Sequence, residues 1–129
     1  MFRPHLLVLP GVLFFIFIFM LLLTGCNSGT DELEQAGRNY KAHRDYASLE
    51  IIHRHLRKGM SRSKVKKLLG ESNYSPIEGQ EYYSSDRKEA AGRGKEQISM
   101  TVGLVVDYRD EQGELTGQLQ TFWLGVIGE

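Results

Sequence analysis

The apolar positions of the chain form three successive patterns. From Leu6 to Leu23 no residue is charged, and most of the stretch is apolar. Leu49, Ile52 and Leu56 then recur at the spacing of one helical face. From 98 to 109, six apolar residues alternate with their neighbours at the period of two that is typical of a strand. The chain is therefore expected to have an apolar leader followed by helices and then strands.

Two helices are predicted in the middle of the chain, each with a polar residue to cap its N-terminus. Asp45 precedes the first helix, and Gly59 lets the chain turn in the left-handed conformation after it. Ser61 precedes a second, short helix over residues 62–69, which Gly70 ends. The buried face of this short helix is expected to consist of Val65, Leu68 and Leu69.

The segment before these helices is harder to assign, because residues 31–44 carry a thin apolar stripe among many charges. Its apolar positions are Leu33, Ala36 and Tyr40. We interpret residues 26–46 as an N-terminal linker or weak helix, with a polar tether at 27–30. The folded domain is then expected to cover residues 47–129.

Three strands are predicted in the second half of the chain. The first covers 80–84, the second is the alternating stretch 98–109, and the third returns over 115–124 with Leu119 and Trp123 as core candidates. A turn at 110–113 joins the last two, and 85–95 is expected to be a mobile loop. The predicted fold class is α+β, with two N-terminal helices packed on one face of a three-stranded antiparallel meander.

The first 25 residues have the three parts of a secretory signal. Arg3 supplies the positive start, and 6–23 supplies the apolar centre. Leu23-Thr24-Gly25-Cys26 then has the pattern of a lipobox: an aliphatic residue, two small residues and cysteine. We expect cleavage between Gly25 and Cys26, which makes 1–25 a lipoprotein signal peptide. The alternative is an uncleaved anchor, because about 20 apolar residues can cross a bilayer.

Lipids attached to Cys26 would hold the mature chain on a membrane. Cys26 is the single cysteine, so an exported chain has no disulfide to form with it. Several acyl chains on one residue exceed the two signals that stable membrane attachment requires. Asn27 follows the cysteine, rather than the Asp that retains many lipoproteins at an inner membrane. We expect a cell-envelope protein anchored in an outer membrane and facing the periplasm.

Motifs for catalysis or metal binding are weak. His53 and His55 are two positions apart, so on a helix they point in different directions and share a metal poorly. The sequence has neither a zinc-protease motif nor a Gly-rich phosphate loop with a lysine. We therefore expect no enzymatic activity, no cofactor and no metal.

Charge is distributed unevenly along the mature chain. Ten basic and five acidic residues lie between Asn27 and Gly70, whereas five basic and eleven acidic residues follow. Basic residues also occupy the first turn of the short helix, where cations oppose the helix dipole. Free backbone N–H groups, a hydroxyl and cations form a candidate contact for an anion such as a phospholipid head group. The residues of this candidate contact are Ser61, Arg62, Lys64 and Lys67. The alternative is a solvated helix face, and nucleic acid is not an expected partner.

Three aromatic residues of the predicted strands are candidates for contact with a protein partner: Tyr82, Tyr83 and Trp123. Aromatic side chains supply rigid contact area at interfaces. The alternative is that they fill the core, since Phe122 is the only phenylalanine after residue 20.

One stretch of the chain resembles the hallmark of the SmpA/OmlA (BamE-like) small outer-membrane lipoproteins. It reads Lys58-Gly59-Met60-Ser61-Arg62-Ser63-Lys64-Val65-Lys66-Lys67-Leu68-Leu69-Gly70. Val105 to Gly113 resembles the strand and acidic-Gly turn of that family, and the whole resemblance covers about 49–123. It implies an accessory role in outer-membrane β-barrel assembly or envelope integrity. The same unit is similar to one repeat of β-lactamase-inhibitor-type proteins, so an inhibitor or immunity lipoprotein that binds a periplasmic enzyme is the alternative.

The lipobox makes Cys26 indispensable for anchoring. We expect Cys26→Ala to abolish lipid attachment and membrane retention, because alanine offers no thiol to acylate. Incorporation of labelled palmitate and fractionation of membranes measure this. Unchanged palmitate incorporation in the variant would contradict the lipoprotein assignment.

Overall fold

Three helices precede four strands in the computed structural model, which describes residues 28–128. The predicted signal peptide and the lipobox residues 23–26 lie outside the described residues. The helices are α1 (Ser28–His43), α2 (Tyr46–His55) and α3 (Arg62–Leu69). The strands are β1 (Tyr74–Ile77), β2 (Gln80–Ala91), β3 (Ile98–Asp107) and β4 (Thr121–Val126). None of the helices in this described part is long and apolar enough to cross a membrane.

The caps of α2 and α3 agree with the sequence prediction. The Ser48 N–H donates to the Asp45 carboxylate over 3.0 Å. The Lys64 N–H donates to the Ser61 hydroxyl over 3.1 Å, so this hydroxyl satisfies a backbone donor of its own helix. Gly70 follows α3 with φ +76°, a conformation that residues with a Cβ rarely adopt. Val65, Leu68 and Leu69 are the buried residues of α3, as expected.

Of the two interpretations of the N-terminal segment, a linker or a weak helix, the structure has the helix. Residues 28–43 form a continuous helix, which includes part of the expected tether and most of the expected linker. Its buried residues are Ala36, Gly37 and Tyr40. A Cβ on Gly37 would lie 3.0 Å from the Leu68 carbonyl oxygen, so α1 approaches α3 closely at this point. The folded domain therefore extends to Ser28 and does not begin at 47.

The sheet is antiparallel with the order β1-β2-β3-β4, which confirms a meander but adds one strand to the prediction. All four residues of β1 are exposed, so their burial does not alternate between the two faces of the sheet. Strand β2 runs to Ala91, through most of the segment expected to be a loop, because pairing with β3 resumes at Lys88 after an irregularity. Strand β4 begins at Thr121 rather than at 115. Of the two core candidates of this strand, Leu119, before it, is fully buried as expected, whereas Trp123 is 43% exposed and does not belong to the core.

The core lies between the three helices and one face of the sheet. Its largest members are Tyr40, Tyr83 and Tyr108, each 0% exposed. The Tyr40 hydroxyl donates to the Ser84 carbonyl oxygen over 2.8 Å, and the Tyr83 hydroxyl donates to that of Gly70 over 3.1 Å. Burial raises the pKa of all three phenols above the ordinary value. Tyrosine side chains therefore supply the aromatic volume of this core, which phenylalanine would supply in a core with more phenylalanine.

Candidate functional site

One residue from each strand contributes to a row of side chains across the sheet. Tyr74 pairs with Tyr82, Tyr82 pairs with Val105, and Val105 pairs with Trp123. We call these four residues the aromatic row. Side chains alternate between faces along a strand, so the row lies on the opposite face from Tyr83, which belongs to the core beneath the helices. The row is thus on the face of the sheet that the helices do not cover.

The aromatic row is accessible at both ends and closed in the middle. Tyr74 is 54% exposed and Trp123 is 43% exposed. Val105 is 1% exposed, so its larger neighbours in the row cover it. The rings of Tyr74 and Tyr82 meet edge to face with their centroids 5.8 Å apart. The row is therefore a rigid apolar surface about three strand spacings, or roughly 14 Å, wide.

A tightly bonded ion pair borders the aromatic row. Asp107 lies two residues along β3 from Val105, on the same face, and is 7% exposed. Its carboxylate accepts hydrogen bonds from Nη2 of Arg109 over 2.6 Å and from Nε over 3.0 Å, and from Nε2 of Gln80 over 3.2 Å. Burial alone would raise the pKa of Asp107, but the hydrogen bonds from Arg109 outweigh it and hold the pKa below the ordinary value. These hydrogen bonds hold a polar border beside the aromatic row in place.

The three aromatic candidates of the sequence analysis are divided between the two faces. Tyr82 and Trp123 are brought together in the row, whereas Tyr83 is buried with its hydroxyl bonded to Gly70. Consecutive residues of a strand point to opposite faces, so Tyr82 and Tyr83 never shared one surface. Tyr83 is core, and the expectation that it contacts a partner has no geometric support. Tyr74, which the sequence analysis missed, takes its place.

A groove of about 600 Å³ opens between α1, α3 and the chain that follows α2. Its apolar lining consists of Leu33, Gly37, Met60 and Leu68. Its cationic lining consists of Arg38, Lys41, Arg57, Lys64 and Lys67, with His55 beside them. Gly29 and Thr30, at the start of the described chain, also line it, together with one acidic residue, Glu34. We call this site the basic groove.

The cations of the basic groove have few anionic partners. Arg38 lies 3.9 Å from Glu34, with both side chains 60% exposed, which makes a weak pair. Lys41 donates to the Lys67 carbonyl oxygen over 2.9 Å. Lys64 and Lys67 have no carboxylate within 4.0 Å among residues 28–128. The groove therefore combines an apolar lining with an excess of positive charge.

Arg62 lies apart from the basic groove because it pairs with a buried carboxylate of the sheet. Its Nη2 is 3.5 Å from Oε1 of Glu81, and Nζ of Lys66 is 3.7 Å from the same oxygen. The Glu81 side chain is only 6% exposed. The Arg62 guanidinium also lies 5.0 Å over the ring of Tyr108. Of the predicted anion-contact residues, Ser61 caps its helix, Arg62 binds the sheet, and Lys64 and Lys67 face the groove.

Glu81 is a buried polar residue that was not predicted, although the sequence contains a signal for it. Within the predicted strand 80–84, Glu81 and Tyr83 are two positions apart and share a face. Assigning Tyr83 to the core therefore assigns Glu81 to it as well. A buried carboxylate requires a cation or hydrogen-bond donors nearby, which the basic residues of α3 supply.

The two histidines of α2 are engaged separately. The ring of His53 meets that of Phe122 edge to face at 5.5 Å, and Nε2 of His55 lies 3.1 Å from Oε2 of Glu32. The two rings therefore contact different elements, β4 and α1.

Comparisons of this chain with protein-family models, with curated proteins and with solved structures found no match. The candidate functional surfaces of the described residues are the aromatic row and the basic groove.

The pairing of Arg62 with Glu81 predicts an unequal response to two arginine substitutions. Arg62→Ala should lower the free energy of unfolding by about 1–3 kcal/mol, because the buried carboxylate loses its closest cation. Arg54→Ala, at an exposed position of α2, should change it by no more than about 0.5 kcal/mol. Urea unfolding followed by circular dichroism measures both. Equal losses in the two variants would show that the pair is not structural.

Proposed function

We propose that this chain is a lipid-anchored module of the cell envelope that binds another envelope protein through the aromatic row and catalyses no reaction. The observation that carries the proposal is the row itself. Four neighbouring side chains, three of them aromatic, lie on the helix-free face of the sheet, with Tyr74 and Trp123 half exposed. Exposed apolar patches with a polar rim are typical of protein interaction sites.

The composition and support of the row suit protein recognition. Tyrosine and tryptophan supply much contact area while losing little conformational entropy, and they dominate the binding energy of many interfaces. Each member of the row stands on a paired strand, so little ordering is required on binding. The Asp107–Arg109 pair forms part of the polar rim.

The lipobox and the family resemblance support the cellular setting. Lipids on Cys26 would confine the domain to the membrane surface, since Ser28, two residues later, belongs to α1. The resemblance to the SmpA/OmlA family favours a partner within the machinery for β-barrel assembly in the outer membrane. An inhibitor or immunity role would use the same surface against a periplasmic hydrolase.

The test combines capture of the partner with variants of the row. Wild-type, lipidated protein is crosslinked in its own membranes and purified, and the captured proteins are identified by mass. Trp123→Ala combined with Tyr82→Ala should reduce capture at least about tenfold, since hot-spot truncations cost 2 kcal/mol or more. Ile98→Ala, at a position 61% exposed at the end of β3, is the matched control and should leave capture unchanged.

The identity of the captured protein decides between the two roles. Barrel-assembly components would support the family role, and a single hydrolase would support inhibition. Equal capture by the row variant and the Ile98→Ala control would contradict binding through the aromatic row.

A second function is favoured by the basic groove: contact with anionic phospholipid head groups. Gly29 and Thr30 line the groove and follow Cys26 by three and four residues, so the groove lies close to the predicted lipid anchor. Each cation near an anionic membrane surface contributes about 1 kcal/mol. The apolar lining suits the glycerol and upper acyl region of a lipid.

Charge reversal in the groove tests this second function. Native mass spectrometry of the lipidated protein, released from membranes that contain phosphatidylglycerol, counts the lipids that remain bound. Lys64→Glu with Lys67→Glu should remove the retained anionic lipid, because both side chains face the groove. Arg93→Glu with Lys95→Glu makes the same change of charge in the loop after β2 and should retain the lipid. Equal retention by the two double variants would contradict lipid binding in the groove.

A further inference from the structure

Strand β4 forms one edge of the sheet, and its pairing with β3 shows which of its backbone groups are free. The Ile127 N–H donates to the Thr101 carbonyl oxygen over 2.9 Å. This bond continues the register of β4 against β3, so the odd-numbered residues of β4 direct their backbone groups toward β3. The even-numbered residues, Phe122, Leu124 and Val126, direct their N–H and C=O groups away from the sheet. The edge therefore offers three donors and three acceptors.

The two edges of the sheet are protected differently. At the opposite edge, β1 is only four residues long and contains Pro76, and the part of β2 beyond it carries Asp86, Arg87, Lys88 and Glu89. Charges, proline and short strands are the features that prevent unwanted pairing of edge strands. No residue from Gln118 to Gly128 is charged, and none is proline. Only the β4 edge lacks these protections within the described sheet.

Strand β4 is complementary to a second copy of itself. An antiparallel pair with its twofold axis at Leu124 would place Phe122 opposite Val126 of the second copy and Leu124 opposite Leu124. These three pairs would exchange six backbone hydrogen bonds. Trp123 would stand opposite Gly125, so the largest side chain of the strand would face the smallest. A Cβ on Gly125 would have only Trp123 Cδ1 within 4 Å, at 3.9 Å, so the space beside it is open.

We propose that two copies of this chain form a dimer through antiparallel β4–β4 pairing, which joins their sheets into one of eight strands. The pairing would cover part of Trp123 and of Val126, which are 43% and 40% exposed. No charge would be buried or repelled, because the paired strands carry none. The assembly would close at two copies, since the protected β1 edges would then be the only edges left. This dimer uses the strand edge and shares only Trp123 with the aromatic row, so its test uses Val126, which lies outside the row.

Substitution of Val126 separates the backbone contribution from the side-chain contribution. The Val126 N–H faces away from β3, so Val126→Pro removes a donor of the dimer without removing a bond of the sheet. It removes two of the six bonds in the symmetric pair and should reduce dimer formation at least about tenfold. Val126→Thr keeps the N–H group and the branched side chain, and should leave the dimer unchanged. Val126→Lys places a charged side chain opposite Phe122 of the second copy, where pairing would remove it from water, and should act as Val126→Pro does.

Co-purification of two differently tagged full-length copies from the same membranes measures dimer formation. Recovery of the second tag with wild type and Val126→Thr, and its loss with Val126→Pro and Val126→Lys, would support the proposal. Circular dichroism checks that each variant is folded, and Val126→Lys carries the test if Val126→Pro is not. Absence of co-purification for wild type, or equal recovery with Val126→Lys and Val126→Thr, would overturn it.

Discussion

Burial of all three helices against a single face of the sheet is the constraint from which the remaining features follow. The core on that face depends on Tyr40, Tyr83 and Tyr108, because Phe122 is the only phenylalanine after residue 20. Each buried tyrosine brings a hydroxyl that needs a partner, and the backbone oxygens of Ser84 and Gly70 serve two of them. The helices are thereby fixed on one side, and the aromatic row on the other side remains uncovered.

The same constraint explains the distribution of charge. Glu81 shares the covered face of β2 with Tyr83, so α3 must bring cations to it, and Arg62 and Lys66 do so. The positive charge of Arg62 at the start of the helix opposes the helix dipole, a cost that the buried carboxylate offsets, whereas Lys66 lies in the last turn. Lys64 and Lys67 lie on the side of α3 toward α1 and contribute to the basic groove instead. The basic residues of α3 thus have two roles. Arg62 and Lys66 stabilise the buried carboxylate, whereas Lys64 and Lys67 remain available to a ligand in the basic groove.

Strong local signals in the sequence were sufficient for about half of the fold. The caps Asp45 and Ser61, the buried face of α3 and the alternation in β3 were all read correctly. The sequence pattern of helix α1 is weak because two of its buried residues, Ala36 and Gly37, are small; at Gly37 this small size allows the close approach to α3. Strand β1 and the end of β2 were missed because their residues are exposed and polar, so only pairing with neighbouring strands defines them. The aromatic row depends on register across four strands, which periodicity within one strand does not contain.

The measurement that tests the central claim most directly is photo-crosslinking in living cells from each face of the domain. A photoreactive phenylalanine analogue at Tyr82 places the probe within the aromatic row, and one at Glu50 places it on the exposed side of α2. Binding through the row predicts one dominant adduct with an envelope protein from Tyr82 and none of that mass from Glu50. An adduct that forms equally from both positions, or only from Glu50, would contradict the assignment of the sheet face as the binding surface.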